Sequence, residues 1–409
     1  MKFDVIVIGG GAAGMMSAYS AATAGKSVLM IDKNDLLGRK LRITGKGRCN
    51  ITNDCDNSEF LKNISTNSKF LYSAINQFST ADTKHFFLEQ GVSLKTERGS
   101  RVFPVSDKAA DVANAMAEAC KDLGVKNNID RVVDITTQDG VVTGVICKNG
   151  GAYESNSVII ATGGMSYPLT GSDGEGYKFA KKLGHTITEI KPSLVSIISK
   201  DECCADMQGL SLKNVGVSLY DNQKPKPLYR ELGEMLFTHF GMSGPLILSA
   251  SAHIKKLEPN RFTISIDLKP GLDETQLDTR ILRDFKKYLN KDFVNSLDEL
   301  LPKKIIPIII TRSGIPPFTK VNSITKEQRK KLCELIKSLV ISVDDFSTIA
   351  ESIVTSGGVD IHEINPKTME SKIVKGLYFA GEVIDVDGYT GGFNLQIAFS
   401  TGYVAGINC

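Results

Sequence analysis

An apolar run from Val5 to Ile8 passes directly into Gly9-Gly10-Gly11-Ala12-Ala13-Gly14, and no other segment narrows the possible folds so far. Gly9, Gly11 and Gly14 have the spacing of a strand, a tight turn and a helix that together cradle a dinucleotide. The first glycine permits the turn, the second lets the backbone approach a pyrophosphate, and the third lets the helix lie close on the strand. The helix opening at Ala12 and Ala13 aims free N–H groups and its positive dipole end at the same space. A second strand, Ser27 to Ile31, ends at Asp32, about twenty residues beyond the glycine turn, where a carboxylate accepts ribose hydroxyls and repels a 2′-phosphate. The bound nucleotide is therefore expected to be FAD or NAD rather than NADP.

The far end of the chain completes this picture. Gly381-Glu382-Val383-Ile384-Asp385 is followed by Gly391-Gly392-Phe393-Asn394 and a small-residue helix from Ile397 to Gly406. A carboxylate such as Glu382 or Asp385 can accept hydrogen bonds from a ribityl chain. A helix starting near Gly392 would direct N–H groups at the N1–C2=O edge of a flavin, where negative charge gathers on reduction. Glycine turns at both ends, with acidic residues placed for a sugar alcohol, point to FAD.

Between the ends lie further elements of the same expectation. Arg39, Lys40, Lys46 and Arg48 are interleaved with Gly38, Gly45 and Gly47 in a basic, backbone-rich loop suited to a pyrophosphate. Helical patterns follow from Ser68 to Gln90 and from Ala109 to Leu123. Arg131–Ile135, Val141–Val145 and Ser157–Ile160 then read as a β-meander around Asp139-Gly140 and Asn149-Gly150-Gly151 turns. Its last strand delivers Ala161-Thr162-Gly163-Gly164, a second small-residue turn at the carboxyl end of a strand, where open α/β sheets place ligands.

From about Pro192 to Ile349 the character changes, as in an insertion. Leu194–Ser199, Asn214–Tyr220 and Arg261–Leu268 alternate as strands. Helices are predicted over Asp273–Leu289 and over Asp292–Ile310, with Pro302 as a helix-start residue, and Thr325 with Gln328 has capping-box spacing. At 409 residues and 42% hydrophobic content the chain can build two or three cores. Its net charge of +3 is too small to imply nucleic acid. Five glycines between Val5 and Gly25, with Asp4 and a single basic residue in front, argue against a signal peptide or a membrane span. Eight cysteines lack both C-x-x-C spacing and a metal pattern with the five histidines, so they read as reduced thiols of a cytoplasmic protein.

Gly38-Arg39-Lys40-Leu41, Thr44 to Asn50, Thr238 to Pro245, Thr355 to Val359 and above all Gly381 to Gln396 resemble one group across essentially the whole chain. It is the three-domain bacterial flavoproteins that include the aminoacetone oxidase and BaiN-like proteins. The resemblance implies an α/β, Rossmann-like FAD domain built from both chain ends (1–191 and 350–409). A β-rich domain (192–271, returning at 323–349) and a small helical domain (272–322) are inserted. It implies non-covalent FAD held by Gly9, Gly11, Ala12, Ala13 and Gly14 at the pyrophosphate, and by Asp32 and Lys33 near the adenosine ribose. Arg39, Lys40, Thr44, Gly45, Arg48, Cys49 and Asn50 would line the phosphate and flavin side, and the Val132 backbone would meet adenine. Ala161, Thr162 and Gly163 would close over the cofactor, with Gly381, Glu382, Asp385, Gly392, Phe393 and Asn394 at the ribityl chain and ring.

The expected activity is that of an FAD-dependent oxidoreductase acting on a small organic substrate, either oxidising an amine-type C–H bond or reducing a conjugated enone. No second glycine-rich strand–helix unit is present, so NAD(P)H would serve only as a transient donor. Cys49 and Cys55 are separated by five residues, against the spacing of disulfide reductases. Asp387-Gly388-Tyr389-Thr390 stands where fumarate reductases carry a His-Gly pair and an arginine. His239, Tyr389 and Arg48 are the acid–base candidates, with no catalytic residue singled out, and the reading preferred for His239 is a buried structural histidine bonding a loop carbonyl. The other class considered is a flavin-containing protein that binds RNA or a protein partner through the basic insertion, against which stands the lack of aromatic residues in runs such as Lys326 to Lys331. The sequence leaves the oligomeric state open.

Overall fold

The computed structural model describes residues 1–409, which divide into two compact units, Met1–Ser193 with Thr348–Cys409, and Leu194–Ser347. The first is organised on five parallel strands. They are β1 (Val5–Ile8), β2 (Val28–Asp32), β3 (Lys126–Ile129), β4 (Ser157–Ile160) and β5 (Leu377–Phe379), in the spatial order β5-β4-β1-β2-β3. β1 is buried along its whole length, as its unbroken apolar run requires of a strand covered on both faces. The sequence runs from β1 into α1 (Ala12–Thr23), later into α2 (Ala109–Asp122), and ends in α3 (Phe393–Asn408). A three-stranded antiparallel meander, Val132–Gln138, Val141–Cys147 and Ala152–Glu154, stands before β4, with its turns where the Asp139-Gly140 and Asn149-Gly150-Gly151 residues predicted them. Its third strand is Ala152–Glu154 and not the expected Ser157–Ile160, whose unbroken apolar run is buried in the parallel sheet as β4.

α1 and α3 cross at backbone distance, which explains the small residues in both. A Cβ on Gly402 would lie 2.5 Å from the Ala13 carbonyl oxygen, and one on Gly406 would lie 2.4 Å from that of Ser17. The two chain ends are thus interlocked, and neither helix can bury its face without the other. The predicted helix over Ser68–Gln90 is instead three pieces, Ser68–Leu71, Tyr72–Gln77 and Thr80–Glu89. Phe78 leaves the helix in an extended conformation and Ser79 starts a new one with a complete capping box to Asp82.

The inserted unit carries a seven-stranded antiparallel sheet, whose longest strands are Ser211–Asp221, Tyr229–Thr238 and Phe262–Asp267. Leu194–Ser199, predicted as a strand, contributes only Ile197 and Ile198. The helix Glu274–Lys287 is capped by Asp273 and Gln276, and Lys326–Lys337 by the expected Thr325 and Gln328. The helix predicted over Asp292–Ile310 is a single short turn at Phe293–Asn295 and a helix only from Ile306 to Ser313. Pro307, not Pro302, occupies the helix-start position, because turns around Leu297 to Ile305 are bonded locally before the helix begins.

One ion pair makes this unit acid-sensitive. Asp221, with 1% of its side chain exposed, accepts from Arg261 Nε at 3.1 Å and Nη2 at 2.9 Å. The arginine holds the carboxyl at about 2, below its usual range. A depressed carboxylate contributes stability that is complete above about pH 4 and is lost as pH falls through 2. Urea unfolding at pH 7 and pH 3 should therefore show wild type losing stability on acidification. Asp221→Asn should be weaker at neutral pH and flatter across the interval. No helix in either unit is long and apolar enough to cross a membrane.

Candidate functional site

The turn after β1 is built from contacts that tolerate no side chains. Gly9 has φ +106°, and a Cβ on Gly14 would lie 1.8 Å from the Gly9 carbonyl oxygen. Gly11 is different: its φ is −82° and a Cβ there would meet nothing within 4 Å. Open space thus lies over the one glycine expected to face a pyrophosphate. α1 begins at this point with no side chain capping its N–H groups. α3 likewise starts at Gly392 without a side-chain cap. The helices at Thr80, Glu274 and Lys326, by contrast, all carry capping boxes. Two helix N-termini with unspent donors, one on each chain end, suit an anion and an electron-rich ring edge. Asn50 Oδ1 and Thr162 Oγ1 are buried without a partner, two further polar atoms for a bound molecule to satisfy. The residues present therefore fit FAD.

Asp32 closes β2 with both oxygens engaged. Oδ2 accepts the Gly10 N–H at 2.6 Å and Oδ1 accepts the Asn34 N–H at 2.7 Å. A carboxylate has about four acceptor positions, so ribose hydroxyls remain compatible with this arrangement. Lys33 is paired with Asp173 at 2.7 Å and Glu175 at 3.0 Å, and Arg131 also bonds Glu175. A shallow cavity of about 320 Å³ lined by Arg131, Val132, Glu175 and Phe179, among others, opens beside the backbone expected to meet adenine.

The basic loop departs from expectation. Arg39–Ile43 is a short helix, after which Gly45, Lys46 and Gly47 all adopt left-handed φ. Arg48 does not project freely: it bonds Asp107 at 2.8 Å and also Glu97, and stacks 4.3 Å over Phe103. Arg39 donates to Asn34 Oδ1 at 2.8 Å. Lys40 reaches across the unit to Glu382 Oε2 at 2.7 Å and Ser166 Oγ at 2.5 Å. Two of the loop's cations, Lys40 and Arg48, are thus paired with carboxylates that lie far off in sequence. Cys49 is fully buried, and burial pushes its thiol up to about 12, which removes it from thiolate chemistry. Its neighbour Thr44 spends its hydroxyl on the Leu41 carbonyl at 2.7 Å.

Glu382 is the centre of the other half. Besides Lys40, its Oε1 accepts the Thr355 N–H at 2.7 Å and the Ser166 hydroxyl at 3.1 Å. Thr355 Oγ1 in turn accepts the Met165 N–H at 2.8 Å, joining the turn after β4 to the loop ahead of Gly357. Ala161 continues β4 through its N–H to the Ile8 carbonyl at 2.9 Å. Gly163 has φ +74°, and Gly381 has φ +77° with its Cα facing Ala13. Asp385 is half-buried and its carboxyl is raised by that burial, with Asn67 donating to its Oδ2 at 3.2 Å. Asp387 is buried and accepts from Ser193 at 2.8 Å, Ser65 at 2.9 Å and Ser356 at 3.0 Å.

Phe393 is buried against Phe60, and Asn394 clamps the preceding loop. Its Oδ1 accepts the Gly388 N–H at 2.9 Å and its Nδ2 donates to the Gly388 carbonyl at 2.7 Å. Tyr389 sits on this clamped loop, its N–H on the Asn63 carbonyl at 2.9 Å. His239 belongs to the inserted unit and is exposed, which corrects the expectation of a buried histidine bonding a loop carbonyl. Ser166, Thr355 and Asp387 were not singled out from the sequence. The signal available for them was polar residues two positions from glycine pairs, at Gly163-Gly164 and Gly357-Gly358, and within the closing motif.

Comparison with known proteins bears on this arrangement. The model of the HI0933-like protein Rossmann domain matches residues 3–408. A 3-dehydro-bile acid delta(4,6)-reductase of Clostridium scindens is 31% identical over 98% of this chain and 97% of its own. A ribosomal RNA dihydrouridine synthase of Escherichia coli is 30% identical over 98% of this chain and 96% of its own. Among solved structures, the open conformation of a flavocytochrome c3 fumarate reductase superposes with a TM-score of 0.54 at 19% identity, covering 100% of this chain and 78% of that one. This last likeness is one of fold.

Proposed function

We propose that this chain, which belongs to the HI0933-like Rossmann family and is an FAD-dependent oxidoreductase, reduces a carbon–carbon double bond conjugated to a carbonyl group. One observation carries the reading. Two relatives matched over nearly their full lengths are named for substrates of unlike size and class, a 3-dehydro-bile acid and a ribosomal RNA uridine. Both named reactions saturate a C=C bond conjugated to a carbonyl. When bound, FAD supplies the hydride for the carbon β to the carbonyl. The chain's own residues must bind the cofactor, polarise the acceptor and deliver a proton to the α carbon.

For binding, Gly9, Gly11, Ala12, Ala13 and Gly14 would receive the pyrophosphate, Asp32 and Lys33 the adenosine ribose, and the Val132 backbone the adenine. Arg39, Lys40, Thr44, Gly45, Arg48, Cys49 and Asn50 would form one wall, with Ala161, Thr162 and Gly163 behind. Gly381, Glu382, Asp385, Gly392, Phe393 and Asn394 would flank the ribityl chain and ring. The uncapped N-terminus of α3 favours negative charge at the ring's N1–C2=O edge. Of the proton-delivery candidates, Arg48 is neutralised by two carboxylates, whereas Tyr389 is held on a clamped loop. Burial and the nearby Asp387 raise its phenol above its usual value, so it stays protonated at neutral pH, as an unperturbed phenol also does. Tyr389→Phe should lower turnover by about 10²- to 10⁴-fold while leaving FAD content unchanged.

Electrons would come from NADH or NADPH docking transiently, and the substrate would be a small molecule. The inserted unit is proposed to comprise a β-rich domain, 192–271 with 323–349, and a helical domain, 272–322. We place the protein in the cytoplasm. The test is to supply each nicotinamide with a 3-oxo-Δ4 steroid and, separately, with uridine-containing ribosomal RNA, and to measure products by mass. A gain of two hydrogens supports the reading and the substrate that gains them names the class. No such gain in either, with hydrogen peroxide released from amines, would replace the reading with amine oxidation.

A further inference from the structure

The inserted unit contains a thiol cluster that the flavin chemistry does not use. Cys203 and Cys204 are adjacent in the short helix Cys203–Asp206, the first partly exposed and the second buried. The Arg312 guanidinium donates from Nη2 to Cys203 Sγ at 3.2 Å. That guanidinium is itself held in place, its Nη1 on the Val340 carbonyl at 2.6 Å and its Nη2 3.8 Å from Asp201 Oδ1. Asp201 in turn accepts the Ser342 N–H at 2.8 Å. A fixed cation against a solvent-reachable sulfur is the arrangement that stabilises a thiolate.

We propose that Cys203 is a site of reversible oxidation, taking hydrogen peroxide and then a small thiol. In the first step the Cys203 thiolate attacks one peroxide oxygen and the O–O bond breaks. The sulfur is oxidised to a sulfenic acid, and the other oxygen leaves as water after taking up a proton. In the second step an external thiol adds its sulfur to that of the sulfenic acid, the S–O bond breaks, and water leaves a mixed disulfide. Cys204 does not resolve the sulfenic acid: it is buried, and closing a ring between adjacent residues would require the helical turn at 203–206 to open.

The charges around the sulfur agree. The Cys203 thiol lies below its ordinary range, lowered by the adjacent Cys204 and by the Arg312 guanidinium, against burial and the opposing carboxylates of Asp201 and Asp206. Cys204 is raised by the adjacent Cys203 and by burial. The two other partly exposed cysteines, Cys55 and Cys409, are raised by burial to about 11 and about 12.

The experiment uses the full-length, FAD-loaded protein. Iodoacetamide labelling is followed by peptide mass analysis across pH 6 to 10, and dimedone trapping is performed after hydrogen peroxide, with β-mercaptoethanol as the thiol. Cys203 is expected to label at least about tenfold faster than Cys55 or Cys409 at pH 7, with its midpoint below theirs, and to carry both the dimedone and the mercaptoethanol adducts. Arg312→Met should slow labelling at pH 7 by about tenfold and converge with wild type at high pH, whereas Arg312→Lys should retain most of the rate. If Arg312→Met does not fold, the wild-type profile and Arg312→Lys decide. Labelling of Cys203 no faster than of the other two, an unchanged rate in Arg312→Met, adducts elsewhere, or a Cys203–Cys204 disulfide as the product would each overturn the proposal.

Discussion

Gly11→Leu is expected to yield a folded protein that purifies without its yellow colour. The backbone at Gly11 already has an ordinary φ of −82°, and a Cβ there touches nothing within 4 Å, so the fold has no reason to resist the substitution. What the new side chain would occupy is the space in front of the uncapped N-terminus of α1, where the pyrophosphate must come within hydrogen-bonding distance. Overpacking that contact should cost about 3 kcal/mol of FAD binding, roughly a hundredfold in Kd. Gly14→Ala provides the contrast. Its Cβ would stand 1.8 Å from the Gly9 carbonyl oxygen, so that variant should lose colour because β1 and α1 no longer pack. Thermal unfolding of the two proteins beside their flavin content separates the causes. A Gly11→Leu protein that retained full flavin would place the pyrophosphate elsewhere.

Glu382→Ala should be damaging in both respects. Its carboxylate gathers the Lys40 ammonium, the Ser166 hydroxyl and the Thr355 N–H, and those three groups come from three separate segments of the chain. Removing it leaves a partly buried ammonium and a backbone donor without their acceptor, at a cost of about 2 to 4 kcal/mol. Glu382→Gln keeps the shape and an acceptor for Thr355 but not the charge, so it should recover part of the stability and less of the flavin binding. Urea unfolding and flavin titration of the pair would show this order. Equal stability for wild type and alanine variant would mean that the cage is incidental to the fold.

The parts of the molecule that were legible in the sequence are those where backbone approaches backbone. Gly9 and Gly14 at one end, Gly402 and Gly406 at the other, are glycine because a Cβ would collide with main-chain atoms, and such collisions leave a fixed spacing to read. The capping boxes at Thr325 and the meander turns were legible for the same local reason. Long-range charge pairing was not. The basic residues of the loop at 39–48 suggested an anion site, yet Lys40 and Arg48 find Glu382, Glu97 and Asp107, partners that no spacing rule connects to them. Strand Tyr229–Thr238 escaped notice because Arg230, Glu231 and Glu234 interrupt its apolar alternation on a half-exposed face. A proline at 302 suggested a helix start that local turns postpone to Ile306.

The most direct test of the proposed chemistry is the oxidative half-reaction in isolation. FAD-loaded protein, reduced stoichiometrically with dithionite under anaerobic conditions, is mixed with a 3-oxo-Δ4 steroid or with uridine-containing ribosomal RNA, and the visible absorbance of oxidised flavin is followed. Return of that absorbance, matched mole for mole by a product two hydrogens heavier, is the predicted result. A flavin that remains bleached with every conjugated acceptor, while an amine bleaches the oxidised protein, would contradict the account.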